Sequence, residues 1–202
     1  MRTSHANGFT LLELLVTLAV AAILLSIAMP SFKTMIDNQR LRSVIAPLSL
    51  SIASARSESA KSGDAVTVCA RSSDTQCGSN WNNGVLVFRD GDYTRGETTA
   101  VVSPSDDIIQ IVPAHNRNIT LSALASNNRT ASGEYTPSYV RYEPDGRANW
   151  KNGTFYACDS RGNTHAHALH ISISGSILKA RRPNSGTGNT VKDIFGRALP
   201  CT

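Results

Sequence analysis

Residues 8–15 read Gly8-Phe9-Thr10-Leu11-Leu12-Glu13-Leu14-Leu15, and the apolar run that opens at Phe9 continues to Met29 with Glu13 as its only charge. Wound as a helix, residues 9–29 reach roughly 31 Å, the hydrocarbon thickness of a bilayer. A carboxylate at that depth costs about 2.5–3.5 kcal/mol, so Glu13 calls for a partner. Phe9, four residues earlier, is expected to share its helix face. A secretory signal peptide would place a small-residue cleavage site after its apolar stretch. Here Pro30, Ser31 and Phe32 follow instead, and then an amphipathic segment. The run therefore reads as a retained membrane-spanning helix.

From Ser31 the pattern changes. Leu41, Val44, Ile45, Leu48, Ile52 and Ala55 recur at helical spacing, with Arg40, Arg42, Arg56 and Glu58 between them. Gly63 offers a stop. A helix continuous over 9–62 would be roughly 80 Å long, and Pro47 is expected to kink its second half. Beyond Gly63 the chain alternates short Val-, Ile-, Thr- and Tyr-rich runs with Gly, Asn, Asp and Pro turns. Strands are predicted at 65–70, 85–89, 98–103, 108–112, 119–122, 139–143, 154–158 and 168–174, and one more after the Ser174-Gly175 turn, at 177–180. There is no internal repeat. The fold class is α+β: one long N-terminal helix, then an antiparallel β-sheet head.

Charge is unevenly spread over the 202 residues, whose formal net charge is +5. Residues 1–63 carry six basic and three acidic groups, residues 64–174 nine and eleven, and residues 175–202 five and one. Most of the positive excess therefore sits in the last stretch. The four cysteines, Cys69, Cys77, Cys158 and Cys201, form no C-x-x-C pair, which argues against zinc-ribbon or thioredoxin-type chemistry. An even number in an exported chain reads as two disulfides. Three pairings are open. The favoured one joins Cys69 to Cys77 and Cys158 to Cys201, the second closing a long loop that contributes about 3–4.7 kcal/mol on a chain-entropy model.

The N-terminal constellation resembles the class III signal of type IV pilins. It has a short basic leader (1–8), cleavage between Gly8 and Phe9, a Phe that becomes N-methylated, and a glutamate five residues into the mature chain, here Glu13. Pro30 falls where that family commonly has a helix-kinking proline. The head resembles the FimT/GspH group of minor pilins and pseudopilins. The residues that carry this are Ala55-Arg56-Ser57-Glu58, Val66-Thr67-Val68-Cys69, Gly84-Val85-Leu86-Val87-Phe88 with Asp90, Tyr142-Glu143-Pro144-Asp145-Gly146-Arg147, Thr154-Phe155-Tyr156-Ala157-Cys158-Asp159 and Ile171-Ser172-Ile173-Ser174-Gly175.

The resemblance implies four parts: a leader (1–8), a transmembrane and filament-core helix (9–30), an amphipathic stem (31–63) and a periplasmic or extracellular head (64–202). It implies a bacterial inner-membrane precursor that later enters a pilus or a type II secretion pseudopilus. Its partners would be other minor and major pilins or pseudopilins, a prepilin peptidase and an inner-membrane assembly platform. Glu13 would meet the positive N-terminal amine of its own or a neighbouring chain.

No enzymatic motif is present: no Gly-x-Ser-x-Gly elbow, P-loop or Rossmann fingerprint. No cofactor and no metal are expected. On a strand ending at Ser174, His165 and His167 would share one face and His170 would point to the other, and Asp90, Asp92 and Glu97 do not follow EF-hand spacing. The alternative to a purely structural role is duplex DNA binding through Lys179, Arg181, Arg182, Lys192 and Arg197, because clustered cations release counterions from a polyanion. Some FimT members bind DNA through a Gly-Arg-x-Arg motif. The corresponding residues here are Gly175-Ser176-Ile177-Leu178, so Arg181 and Arg182 would have to act from a shifted position.

Overall fold

The structure, a computed structural model, describes residues 9–95, 97–115, 118–125, 137–148, 153–180 and 190–201. It divides into two compact units, 1–40 and 41–202. One helix, α1 (Leu11–Ser62), supplies most of the first and opens the second.

In the first unit α1 begins two residues later than the apolar run. Thr10 is the reason: its hydroxyl accepts the Glu13 N–H at 3.2 Å and its carbonyl accepts the Leu14 N–H at 3.2 Å, which makes it the N-cap. Neither Pro30 nor Pro47 interrupts the helix, which runs on through both. Each proline removes one N–H, and buried Val44, Ile45, Leu48 and Ile52 hold the turns on both sides of Pro47. Around Pro30 side-chain hydroxyls bond neighbouring carbonyls, Ser26 to Ile23 at 2.7 Å and Thr34 to Pro30 at 3.1 Å. The helix ends at Gly63, whose φ of +79° suits the left-handed cap position.

In the second unit the helical stripe foreseen in the sequence is the buried one: Leu41, Val44, Ile45, Leu48, Ile52 and Ala55. Two antiparallel sheets close on it. The first contains β1 (Ala65–Ser73), β2 (Gln76–Gly78), β3 (Val85–Asp90), β4 (Asp107–Val112) and β6 (Tyr139–Tyr142), in the order β2-β1-β3-β4 with β6 also paired to β1. The second contains β5 (Thr120–Ala125), β7 (Gly153–Cys158), β8 (His167–Ile171) and β9 (Ile177–Lys179), in the order β5-β7-β8-β9. Val66, Val68 and Val87 from the first sheet meet Leu121, Phe155 and Ile171 from the second against α1 in one apolar core. Trp81 sits between the sheets, edge-on to Phe155 at 4.8 Å, and its indole N–H donates to the Pro137 carbonyl at 2.8 Å.

Each sheet also buries its other face, and in both cases irregular chain covers it. Residues 98–103, expected as a strand, form none. Their Ala100 and Val102 pack over Cys69, Leu86, Phe88 and Tyr139, and the Thr99 carbonyl accepts from Arg141 at 2.9 Å instead of joining a ladder. The C-terminal tail does the same for the second sheet, where Val191 and Leu199 cover Leu124, Tyr156 and Ala168. A disulfide lies at each cover: Cys69–Cys77 (S–S 2.04 Å) joins β1 to β2 and Cys158–Cys201 (S–S 1.94 Å) joins β7 to the tail. β2 is a strand the sequence reading missed, because only three residues pair. β8 stops at Ile171, short of Ser174, where Ser172–Ser176 turn back into β9. At that turn Gly175 is obligatory: φ is +77°, and a Cβ would lie 2.2 Å from the Gly146 carbonyl oxygen.

Under the 98–103 cover lies a charged knot. Arg141 is fully buried. It donates to Asp90 at 2.7 Å and to the Thr67 hydroxyl at 2.8 Å, and its guanidinium lies 4.5 Å from the Tyr93 ring centroid and 5.3 Å from that of Tyr139. Burial pushes the Asp90 carboxyl up to about 6, against Arg141, which pulls it down. Arg141→Met strands Asp90 in the apolar interior and should cost about 3–5 kcal/mol in denaturant unfolding followed by tryptophan fluorescence. Adding Asp90→Ala to that variant should recover a large part of the loss.

Candidate assembly site and basic tail

In the first unit the apolar side chains from Leu11 to Met29 are all exposed. α1 contains a window long and apolar enough to cross a membrane, and none of that window is buried inside the chain. Glu13 occupies the first turn of α1, where the unpaired N–H groups of the helix start favour a carboxylate. No cation among the described residues forms an ion pair with it. Phe9 precedes the Thr10 cap and lies outside the helix. The four-residue spacing therefore does not place it on the helical face of Glu13. Gly8 and the rest of 1–8 lie outside the described residues. Pro30 lies within α1, and its carbonyl is bonded by Thr34.

The basic tail separates into parts. Lys179 ends β9 and is exposed, as is Lys192. Arg181 and Arg182 lie outside the described residues. Arg197 is already committed, with its Nε 2.6 Å from Asp193, which is itself buried. That pair belongs to a fastening of the tail onto the second sheet. The Ile194 N–H donates to the Thr154 hydroxyl at 3.2 Å, Thr154 lies 2.9 Å from Nδ1 of His170, and the Val191 N–H reaches the Asn163 carbonyl at 3.2 Å. Burial lowers the His170 pKa, with Asp193 acting in the opposite direction.

The three histidines do not converge. His165 sits in a turn against Thr164, His167 opens β8, and His170 is taken up by Thr154. Among the described residues the group with donor atoms within 4.8 Å of one another is Asp90, Asp92 and Asp106. Asp106 thus stands where the sequence reading placed Glu97, which turns to Arg141 at 3.6 Å. Asp106 instead closes its own loop, accepting the Gly91 N–H at 3.0 Å and the Ser103 N–H at 2.8 Å. What sequence reasoning missed altogether is a groove lined by Arg42 and Lys179, residues 137 positions apart in sequence that the fold brings to one cavity.

The family model described as "Type II transport protein GspH" matches residues 47–176. The chain belongs to the GspH family. Its N-terminus matches the prokaryotic N-terminal methylation motif over residues 3–29, and the role that goes with both is structural, that of a minor pilin or pseudopilin. No curated protein matches the chain. Two crystal structures of the type IV minor pilin FimU of Pseudomonas aeruginosa are similar to this GspH-family chain. In space group P65 the match has 17% identity, covers 74% of this chain and 98% of the other, and has a TM-score of 0.46. In space group P21 the values are 18%, 76%, 96% and 0.45.

The His170 pocket sets a pH dependence. Its folded pKa lies below the ordinary value of 6.5, so on acidification the unfolded chain takes up a proton that the folded one resists. This contribution to stability is full above about pH 6.5 and is lost as pH falls toward the folded pKa. The stability difference between the native protein and His170→Gln, measured by urea unfolding, should therefore shift against the native protein between pH 7 and pH 5.

Proposed function

We propose that this GspH-family subunit is cleaved between Gly8 and Phe9, methylated at Phe9, held in the bacterial inner membrane by residues 9–30 with its head in the periplasm, and then drawn into a pilus or a type II secretion pseudopilus. The observation that supports this reading is the exposed apolar length of α1 with a single charge, Glu13, near its start. A lipid-facing helix needs no such charge, and a buried carboxylate there is tolerable only with a counter-charge. The methylated amine created at Phe9, of this chain or of its neighbour, supplies one of the right sign. The head takes part in no catalysis on this reading. Its work is to present surfaces to other minor and major subunits, after the prepilin peptidase and the assembly platform have handled the anchor.

Glu13→Ala should leave membrane insertion intact and lower recovery in sheared filaments by roughly tenfold or more, the scale of one charge-assisted contact of about 1.5–3 kcal/mol. Fractionation of cells into membrane and filament pools checks it. Unchanged incorporation of the variant would contradict the proposed role of Glu13.

A further inference from the structure

The head carries one surface whose charges are left without partners. Among the described arginines, Arg40, Arg71, Arg89, Arg95, Arg141, Arg147, Arg161 and Arg197 each pair with a carboxylate. Arg56 is held by the carbonyls of Gly146 and Ser174, both at 3.1 Å. Among the described residues Arg42 has neither kind of partner. It lines a groove of about 660 Å³ between α1 and the β8–β9 side of the second sheet, and Lys179 lines the same groove from β9. Among the described residues no acidic one lines it. Between the two cations the walls are mostly apolar, Ile45, Ala46 and Leu50 from α1 and Ala168 and Leu169 from β8, with Ser49 and His167 as the polar members of the lining. Leu50 is 68% exposed although its neighbours Leu48 and Ile52 are 1% and 0% exposed.

We infer that this groove docks a segment of another pilin-like subunit, one that combines apolar side chains with an aspartate or glutamate. The inference rests on the filament reading above. The volume suits a few side chains rather than a domain face. Two cations rimming an apolar floor favour a carboxylate flanked by aliphatic groups, with the charges selecting and orienting the partner. A nucleic-acid backbone would satisfy Arg42 and Lys179 but leave Leu50 and Ala46 against phosphate and water, so duplex DNA fits the lining poorly. Of the chain's own exposed acidic-apolar segments, Asp107 with Ile108 and Ile109 is committed to Arg89 at 3.1 Å, and Glu13 among its leucines is assigned above to the amine at Phe9. The occupant is therefore a different subunit rather than a second copy.

The test is photo-crosslinking in assembling cells with the full chain, placing p-benzoylphenylalanine at Leu50 and, in a separate strain, at Val20 in the anchor. The expected Leu50 adduct maps by mass spectrometry to another pilin-like subunit, on a fragment with an acidic residue beside apolar ones. Arg42→Glu with Lys179→Glu should remove most of that adduct, Arg42→Lys with Lys179→Arg should keep it, and the Val20 adduct should be unchanged by either pair. The inference is overturned if Leu50 crosslinks to phospholipid, to DNA, to this chain itself or to nothing while Val20 still captures a subunit. An adduct indifferent to charge reversal overturns it too. A missing Val20 adduct overturns the filament reading, and this inference with it.

Discussion

The head depends on a single stripe of α1. Leu41, Leu48 and Ile52, each all but inaccessible to solvent, are the surface on which two sheets close that share no strand with each other. Neither sheet has a core of its own against the other. The inward-facing apolar residues of β1, β3, β5, β7 and β8 belong to one cluster because the helix lies among them. Even the polar positions of the stripe serve this closure. The Ser59 hydroxyl lies 2.8 Å from the Asp64 carbonyl and 3.0 Å from that of Tyr142, so the helix end is tied both to the start of β1 and to β6. Shortening Leu48 or Ile52 would open a cavity shared by both sheets, which is where large-to-small substitutions cost most.

The outer faces follow a different logic. A sheet covered on both sides usually finds a second layer of regular structure. Here the covers are irregular, and irregular chain brings backbone groups that need partners. Arg141 supplies them on one side, accepting the geometry of a loop by donating to the carbonyls of Glu97 and Thr99 while Asp90 neutralises it. On the other side Thr154, His170, Asp193 and Arg197 fasten the tail by hydrogen bonds and an ion pair. The disulfides stand at these same two covers, where packing of regular elements contributes least.

Much of this was legible in the sequence, for reasons of period. Residues 9–29 are apolar but for Glu13, and from Ser31 the pattern changes to a helical repeat. Leu41 through Ala55 fell on the buried face because a 3.6-residue period leaves few choices. Strands with alternating or continuous β-branched residues, such as 85–89 and 154–158, were found nearly to the residue. Residues 98–103 misled because Thr98, Val101 and Val102 have strand propensity, while the carbonyls of Glu97 and Thr99 were claimed by an arginine some forty positions away. The helix continues through Pro47, where packing on Ile45 and Leu48 offsets one missing hydrogen bond. Asp106 replaced Glu97 beside Asp90 because proximity across a loop is set by its closing bonds and not by spacing. The Arg42–Lys179 groove could not have been read from sequence at all. Each residue alone is an ordinary surface cation, and only the fold makes them neighbours over an apolar floor.

Taken by their charges, both units are incomplete in the same way. Almost every described arginine of the head is neutralised within the chain, which makes an unpaired one informative rather than ordinary. Two such charges lie where apolar surface is also left uncovered: Glu13 amid the exposed side chains of the first turns of α1, and Arg42 beside exposed Leu50. Water accepts either a lone charge or a lone leucine at little cost, so neither by itself means much. Together, on rigid helix, they describe surfaces whose charge gains strength only when the apolar neighbours are covered and water is driven out. Such a pairing rewards a partner that brings both the opposite charge and matching apolar area. It is the arrangement expected of a subunit whose final packing is made with other chains.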